Sequence, residues 1–399
     1  MCCRQSLAHD TTVRPLTREP TKMPCVTSTP NPHARLLLAA TMTIRRLSAS
    51  ALTLMLLAAL SFTAAAAALP SASPVSTLQG RLEALARQAL PGTLGITVFD
   101  LQSGKVWRVN AQRAFPMMSV FKAPVAAAVL DRIEHHALSM EQPVVIRRSD
   151  LESGAIREHF KGDQMTFTVR QLLTEAVSKS DNTAVDALLK VMGGPRIVTA
   201  FLHDHGIDGM RVDIGENGFR SVFEDLKPGQ NPPANETDAQ QLARLRRGYQ
   251  AFLADPRNRS TPDAAANFLR KLWDGQLLPP SSTRYLLDLM YAQTMPNRLR
   301  RGLPMGARLA DKCGTSYTLE KTTAAYNDIG ILSWPDGRAV VVAAFLTAST
   351  ASKDERDAIF ADLARTVAAT LHPSTNTTTA PSAPVRRNPG STARAGSGR

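Results

Sequence analysis

Three short motifs put nucleophilic, amide and cationic side chains where acyl transfer would need them. The first is Ser119-Val120-Phe121-Lys122, at the point where a loop meets an apolar helix. A serine and a lysine three apart at a helix start share one face, so the amine can reach the hydroxyl. Serine is a weak nucleophile unless a base takes its proton, and a desolvated lysine amine can act as that base. A helix N-terminus would also aim backbone N–H groups at a developing oxyanion on a substrate of Ser119. Alone, the pair also fits a helix cap followed by a solvated lysine, in which case Pro124 removes a backbone bond without explanation.

The second motif, Ser180-Asp181-Asn182, opens a helix expected over Thr183–Met192. All three residue types are good N-caps, and that reading suffices for the motif by itself. In a catalytic setting Ser180 would pass a proton between nucleophile and leaving nitrogen, while the Asn182 amide grips a substrate carbonyl. The third motif, Asp311-Lys312-Cys313-Gly314-Thr315-Ser316, lies just before a terminal hairpin. Lysine then glycine on an edge strand sets a cation beside a substrate carboxylate, with bare backbone for close approach. An edge lysine that discourages aggregation is the plainer alternative.

The elements that must position these motifs follow from periodicity. Leu78, Leu82, Leu85, Ala86 and Ala89 share a helical face, so Ser76–Leu90 is expected to be an amphipathic helix ended by Pro91-Gly92. Thr93–Leu101 and Val106–Val109 read as a β-hairpin, and Asp328–Trp334 with Arg338–Leu346 as a second, turning at Pro335-Asp336-Gly337. Ser352–Leu371 has helical spacing, and six further helices are expected between about Arg113 and Pro280. These are Ala123–His136, Val169–Ser178, Ala184–Met192, Arg196–His205, Thr237–Leu253 and Pro262–Asp274. Strands at both ends with helices between imply an α/β (α+β) fold. One antiparallel sheet is assembled from both chain ends with flanking helices (75–112 and 285–372), and an all-helical lobe (113–284) is inserted. The site would lie in the groove between them.

Composition narrows the partners. Residues 42–68 run from Met42-Thr43-Ile44-Arg45-Arg46 through an apolar core to an alanine run, the pattern of a secretory signal cut near Ala68. Residues 1–41 then read as a non-native upstream extension. A periplasmic or secreted protein is expected, with no stable membrane anchor, because no cysteine follows the apolar core for lipidation. Cleavage would leave Cys313 as the lone cysteine, so no internal disulfide is expected. Residues 373–399, rich in Ser, Thr, Pro and Arg, read as a disordered basic tail. The formal charge of +13 comes largely from these ends; without them 36 basic residues face 32 acidic ones over the 304 residues 69–372. That balance is no argument for nucleic-acid binding. His135, His136, His203 and His205 lack the carboxylate or cysteine cluster of a metal site and read as helix surface.

Taken together the three motifs are far more specific than any one of them. Ser180 follows Ser119 by 61 residues and Lys312 follows Ser180 by 132. Their order resembles the S-x-x-K, S-D-N and K-T-G signature of class A serine β-lactamases and penicillin-binding proteins. The resemblance covers about residues 76–371, including Gly193-Gly194-Pro195, Leu309-Ala310-Asp311-Lys312 and Trp334-Pro335-Asp336-Gly337. It implies β-lactam antibiotics as substrates, an acyl-enzyme on Ser119, resistance to those drugs, no cofactor or metal, and a monomer. Class A enzymes resemble each other in a glutamate about 34 residues past S-D-N that activates the hydrolytic water. Here that count reaches Glu216, with Glu224 and Glu236 as rivals if the loop is threaded differently.

The same resemblance assigns proton abstraction from Ser119 jointly to Lys122 and Glu216, and deacylation to Glu216. It makes the N–H groups of Ser119 and Thr315 the oxyanion hole. Lys312, Gly314, Thr315, Ser316 and Arg298 become substrate contacts, the last because it lies 14 residues before Lys312. Three departures bear on turnover and substrate range. Cys313 replaces the hydroxyl residue of K-T-G, Arg220 stands where many members have an asparagine, and the loop 214–236 is longer than usual. Beside Lys312, the Cys313 thiol is expected to be reactive. Two other readings stay open: a D,D-peptidase-like penicillin-binding protein with slow turnover, and a β-lactam sensor that stays acylated.

Overall fold

The computed structural model describes residues 77–373; the leader-like segment, the upstream extension and nearly all of the tail lie outside them. Helix α1 (Leu78–Gln88) leads into β1 (Thr93–Asp100), β2 (Val106–Val109) and β3 (Phe115–Pro116). A 3₁₀ turn over Met118–Phe121 then runs into α2 (Lys122–Glu134). The inserted segment continues with β4 (Pro143–Arg147), α3 (Ala155–His159), β5 (Gln164–Thr168), α4 (Val169–Val177), α5 (Asn182–Met192) and α6 (Arg196–Asp204). After these come α7 (Glu216–Phe223), α8 (Asp238–Ala254), β6 (Arg259–Ser260), α9 (Pro262–Trp273) and α10 (Pro280–Tyr291). The chain closes with β7 (Arg308–Thr315), β8 (Thr318–Leu319), β9 (Thr322–Ser333), β10 (Ala339–Ser349) and α11 (Lys353–Leu371).

The main sheet runs β2-β1-β10-β9-β7, with β8 also on β9, and its pairings are antiparallel. Strand β1 from the start of the chain pairs along its whole length with β10 near the end, Thr93 opposite Thr347 and Asp100 opposite Val340. Alternation along β10 explains how the sheet is covered on both sides. Val340, Val342, Ala344 and Leu346 join Leu82 of α1 and Phe360 and Leu363 of α11 in one core. Val341, Ala343 and Phe345 face the other core, shared with Phe268 and Leu269 of α9 and with the inserted helices. Every residue of α2 from Lys122 to Leu130 is buried, as expected of a helix that is apolar all round.

Several expectations are adjusted. The inserted segment is not wholly helical, because β4 and β5 form an antiparallel ribbon and β3 pairs with β6. The boundary at residues 284/285 falls inside α10, whose amphipathic stretch the periodicity analysis missed. Helix α9, placed with the inserted lobe, packs its apolar face on the sheet. Helix α7 was also missed; it has eight residues, too few for a repeating pattern to stand out. Pro124 sits in the first turn of α2, where a missing N–H has no intrahelical partner to lose, so it breaks nothing.

Candidate active site

The three motifs meet at one groove of about 200 Å³, lined by Ser119, Asn182, Glu216, Thr315 and Ser316 among others. Ser119 is carried by the 3₁₀ turn rather than by the α-helix itself, and Met118 before it is left-handed (φ +48°). Asn327 of β9 secures this approach by donating its amide to the carbonyls of Pro116 (2.8 Å) and Met117 (3.0 Å). Strand β7 then lies directly against the turn. A Cβ on Gly314 would be 2.6 Å from the Met117 carbonyl oxygen and 3.0 Å from the Ser119 nitrogen. The glycine is therefore needed for contact between the strand and the Ser119 turn, where the sequence suggested room for the ligand.

Lys122 is wholly buried at the start of α2. Its ammonium donates to the Ser180 carbonyl at 2.7 Å and to the Asn182 side-chain oxygen, and lies 3.2 Å from Glu216 Oε1. Ser119 Oγ hydrogen-bonds to none of the described side chains. Apo sites often show such loose catalytic contacts, which tighten when substrate fills the groove. Asn182 also donates to Ser153 Oγ at 2.9 Å. Asp181 both caps α5 through the Ala184 N–H and holds the Ile156 N–H, so the capping reading of S-D-N is true as well.

Lys312 is fully buried and donates to Ser180 Oγ at 2.9 Å, joining the second and third motifs. Burial pushes its ammonium down to about 8, with the nearby Lys122 acting in the same direction. Arg298 is buried, lies with its guanidinium 3.9 Å from the Tyr326 ring centre, and donates to Thr315 Oγ1. It thus stands behind Thr315 and orients that hydroxyl. Ser316 lines the groove, but its hydroxyl accepts from the Ala325 N–H at 2.8 Å and donates to the Tyr317 carbonyl at 3.0 Å. The side chain is committed to the turn between β7 and β8 and its contact with β9.

Among the three candidate acids the geometry separates clearly. Glu216 is buried against Lys122, and its Oε1 has the ion pair but no hydrogen bond within the protein. Glu236 is paired with Arg244 (Nε to Oε1 2.9 Å), and Glu224 lies behind the lining residue Arg220, 4.0 Å from its guanidinium. Cys313 is only 6% exposed, and its sulfur accepts from Gln293 Nε2 at 3.3 Å. The fold therefore buries the thiol that the sequence led one to expect to be reactive. Among the described residues no group of three or more His, Cys, Asp or Glu could hold a metal, and no helix is long and apolar enough to cross a membrane.

Residues 77–371 match the family model described as the β-lactamase enzyme family. The chain belongs to that family. The extended-spectrum β-lactamase PER-1 of Pseudomonas aeruginosa is 33% identical over 278 residues, 69% of this chain and 81% of that protein. β-Lactamase L2 of Stenotrophomonas maltophilia is 33% identical over 323 residues, 79% of this chain and 93% of that protein. The solved class A β-lactamase of the last common ancestor of Gram-negative bacteria superposes with a TM-score of 0.60 at 32% identity, covering 74% of this chain and 99% of that one. These relatives identify a class A serine β-lactamase, an enzyme that hydrolyses β-lactams.

Two residues of this β-lactamase escaped the sequence analysis. Asp186 of α5 accepts the N–H groups of Glu216 (2.7 Å) and Asn217 (3.0 Å), capping α7 from a neighbouring helix. Burial holds its carboxyl up at about 6, against the pull of those two N–H groups. The signal for it was an acid four residues after Asn182, on the same face of an otherwise apolar helix. Glu152, in the loop before α3, accepts from Asn217 Nδ2 (3.0 Å) and from Arg220 Nε (3.2 Å). No local pattern marks it.

Proposed function

We propose that β-lactam hydrolysis in this enzyme runs through an ester on Ser119 that is released by a water activated by Glu216. In acylation Ser119 Oγ attacks the ring carbonyl, and its proton passes to the Lys122–Glu216 pair. The backbone N–H groups of Ser119 and Thr315 hold the oxyanion. When it collapses the C–N bond breaks, and the ring nitrogen takes a proton through Ser180, whose hydroxyl Lys312 orients. The ring carboxylate is held at Lys312 and Thr315, with Arg298 fixing the Thr315 hydroxyl. In deacylation Glu216 takes a proton from water as the oxygen attacks the ester; the C–Oγ bond breaks and Ser119 recovers its proton.

The observation that carries this reading is the Glu216 carboxylate, which lines the same groove as Ser119 and lies 3.2 Å from Lys122. A carboxylate so placed borders both the Ser119 turn and the cavity in which a hydrolytic water would sit. Repeated turnover of a chromogenic cephalosporin by purified protein is expected, lost in Ser119→Ala. In Glu216→Ala a stoichiometric burst should stop at a covalent adduct visible by mass spectrometry. A burst that stops in the unsubstituted enzyme would instead favour the drug-binding sensor.

Export follows from the leader pattern at 42–68, giving a periplasmic or secreted monomer that begins near residue 69. N-terminal sequencing of the protein recovered outside the cytoplasm, with its size in solution, tests both points.

A further inference from the structure

The orientation proposed above leaves one wall of the groove for the acylamino arm of the substrate, and the present inference rests on that reading. The wall consists of Glu152 and Ser153 on one side, Phe219, Arg220 and Phe223 of α7, and Tyr317 beyond the end of β7. Its charges are unevenly matched. Arg220 is the cation among the residues lining the groove. Its Nε and Nη2 lie 3.2 and 3.4 Å from the oxygens of Glu152, and its Nη1 lies 4.0 Å from Glu224. One guanidinium therefore serves two carboxylates. Glu216, the remaining acid, is balanced by Lys122 beneath it.

These groups are partly shielded from water: the side chains of Glu152, Glu224 and Arg220 are 11%, 25% and 31% exposed. Fields of such charges are screened less than those of fully exposed ones. The Tyr317 ring, edge-on to Phe223 with centres 5.5 Å apart, stands at the open side of the wall. An anionic arm would bring a third carboxylate to an arginine already shared by two, whereas a cationic arm would meet the surplus negative charge.

We propose that this wall is a charge-selective subsite, through which the enzyme prefers β-lactams bearing an ammonium on the acyl arm over those bearing a carboxylate at the same carbon. Glu152 and Glu224 set the sign, and Arg220 holds Glu152 in place. The test compares three penicillins that differ at one carbon of the arm: benzyl, aminobenzyl and carboxybenzyl. It is run at pH about 6.5, below the ordinary α-amino pKa of about 7.7–8.0, so that the amine is charged.

The expected kcat/KM for the aminobenzyl compound exceeds that for the carboxybenzyl compound by on the order of five- to tenfold, shrinking as salt rises. Glu224→Gln should lower that ratio; both substrates are read on the same variant, so any general loss cancels. Equal rates, or preference for the carboxybenzyl compound because Arg220 exchanges Glu152 for the ligand, would overturn the proposal. A preference unchanged by salt and by Glu224→Gln would overturn it too, since it would then be steric. Failure to turn over even benzylpenicillin would remove the hydrolytic reading itself, a result distinct from equal rates.

Discussion

Asp186 accepts the backbone N–H of Glu216 at 2.7 Å, so the helix that begins at Asn182 also fixes the start of the helix that begins at Glu216. One rigid element thereby sets both the S-D-N motif and the acid proposed to activate water. Gly215 allows this contact, because a Cβ there would lie 2.3 Å from the Asp186 oxygen.

That arrangement predicts an acidic limb in the rate. The Asp186 carboxyl is held up at about 6, so above that pH it is ionised and offers acceptors to both N–H groups. Below it the acid is protonated and grips them less well, loosening Glu216. Deacylation should therefore fall as pH drops through about 6. In Asp186→Asn that limb should flatten, and at neutral pH kcat should drop on the order of tenfold with KM little changed. A pH profile of kcat for both proteins checks this; an identical limb in the variant would assign it to another group.

An alkaline limb should appear in KM rather than in kcat. Lys312 is depressed to about 8, so raising the pH past that value removes the charge proposed to anchor the substrate carboxylate. KM for a carboxylate-bearing β-lactam should climb above pH 8, measurable by initial rates between neutral pH and the onset of unfolding.

Gly314→Ala should damage acylation. Its new methyl would overlap the Met117 carbonyl, 2.6 Å away, so β7 must shift away from the Ser119 turn. Overpacking of this kind costs about 1–3 kcal/mol in stability, readable as a lower Tm. The acylation burst with a chromogenic substrate should slow by more than that stability change explains, since the Ser119 and Thr315 N–H groups separate.

Glu236→Ala should behave unlike Glu216→Ala. It removes the partner of Arg244, a buried guanidinium bonded also to the Glu224 carbonyl, and so should lower Tm. No acyl-enzyme should accumulate, because Glu236 is not the acid beside Lys122. Mass spectrometry of both variants after mixing with penicillin separates the two roles.

Cys313 should label slowly in the folded enzyme and fast once it is denatured, because its sulfur is buried against Gln293. Rapid stoichiometric labelling of native protein by an aromatic disulfide would contradict that burial.

Much of the molecule was legible in the residues themselves. The β-rich run of β10, the apolar face of α1, the cap of α5 and the helical spacing of α11 depend on residues close in the chain, so they leave a local pattern. The order of S-x-x-K, S-D-N and K-x-G named the family, and the count from Asn182 reached the acid that the fold sets beside Lys122. Tertiary structure alone decided which groups meet. Lys312 reaches Ser180 across 132 residues, Arg220 reaches Glu152 across 68, and Asp186 reaches Glu216 across 30. A chain records its short-range preferences in spacing, but a pair brought together only by packing leaves no period to read. That is why Arg298 could be expected near the substrate carboxylate yet is found behind Thr315, and why the charge of the acyl-arm wall appeared only in three dimensions.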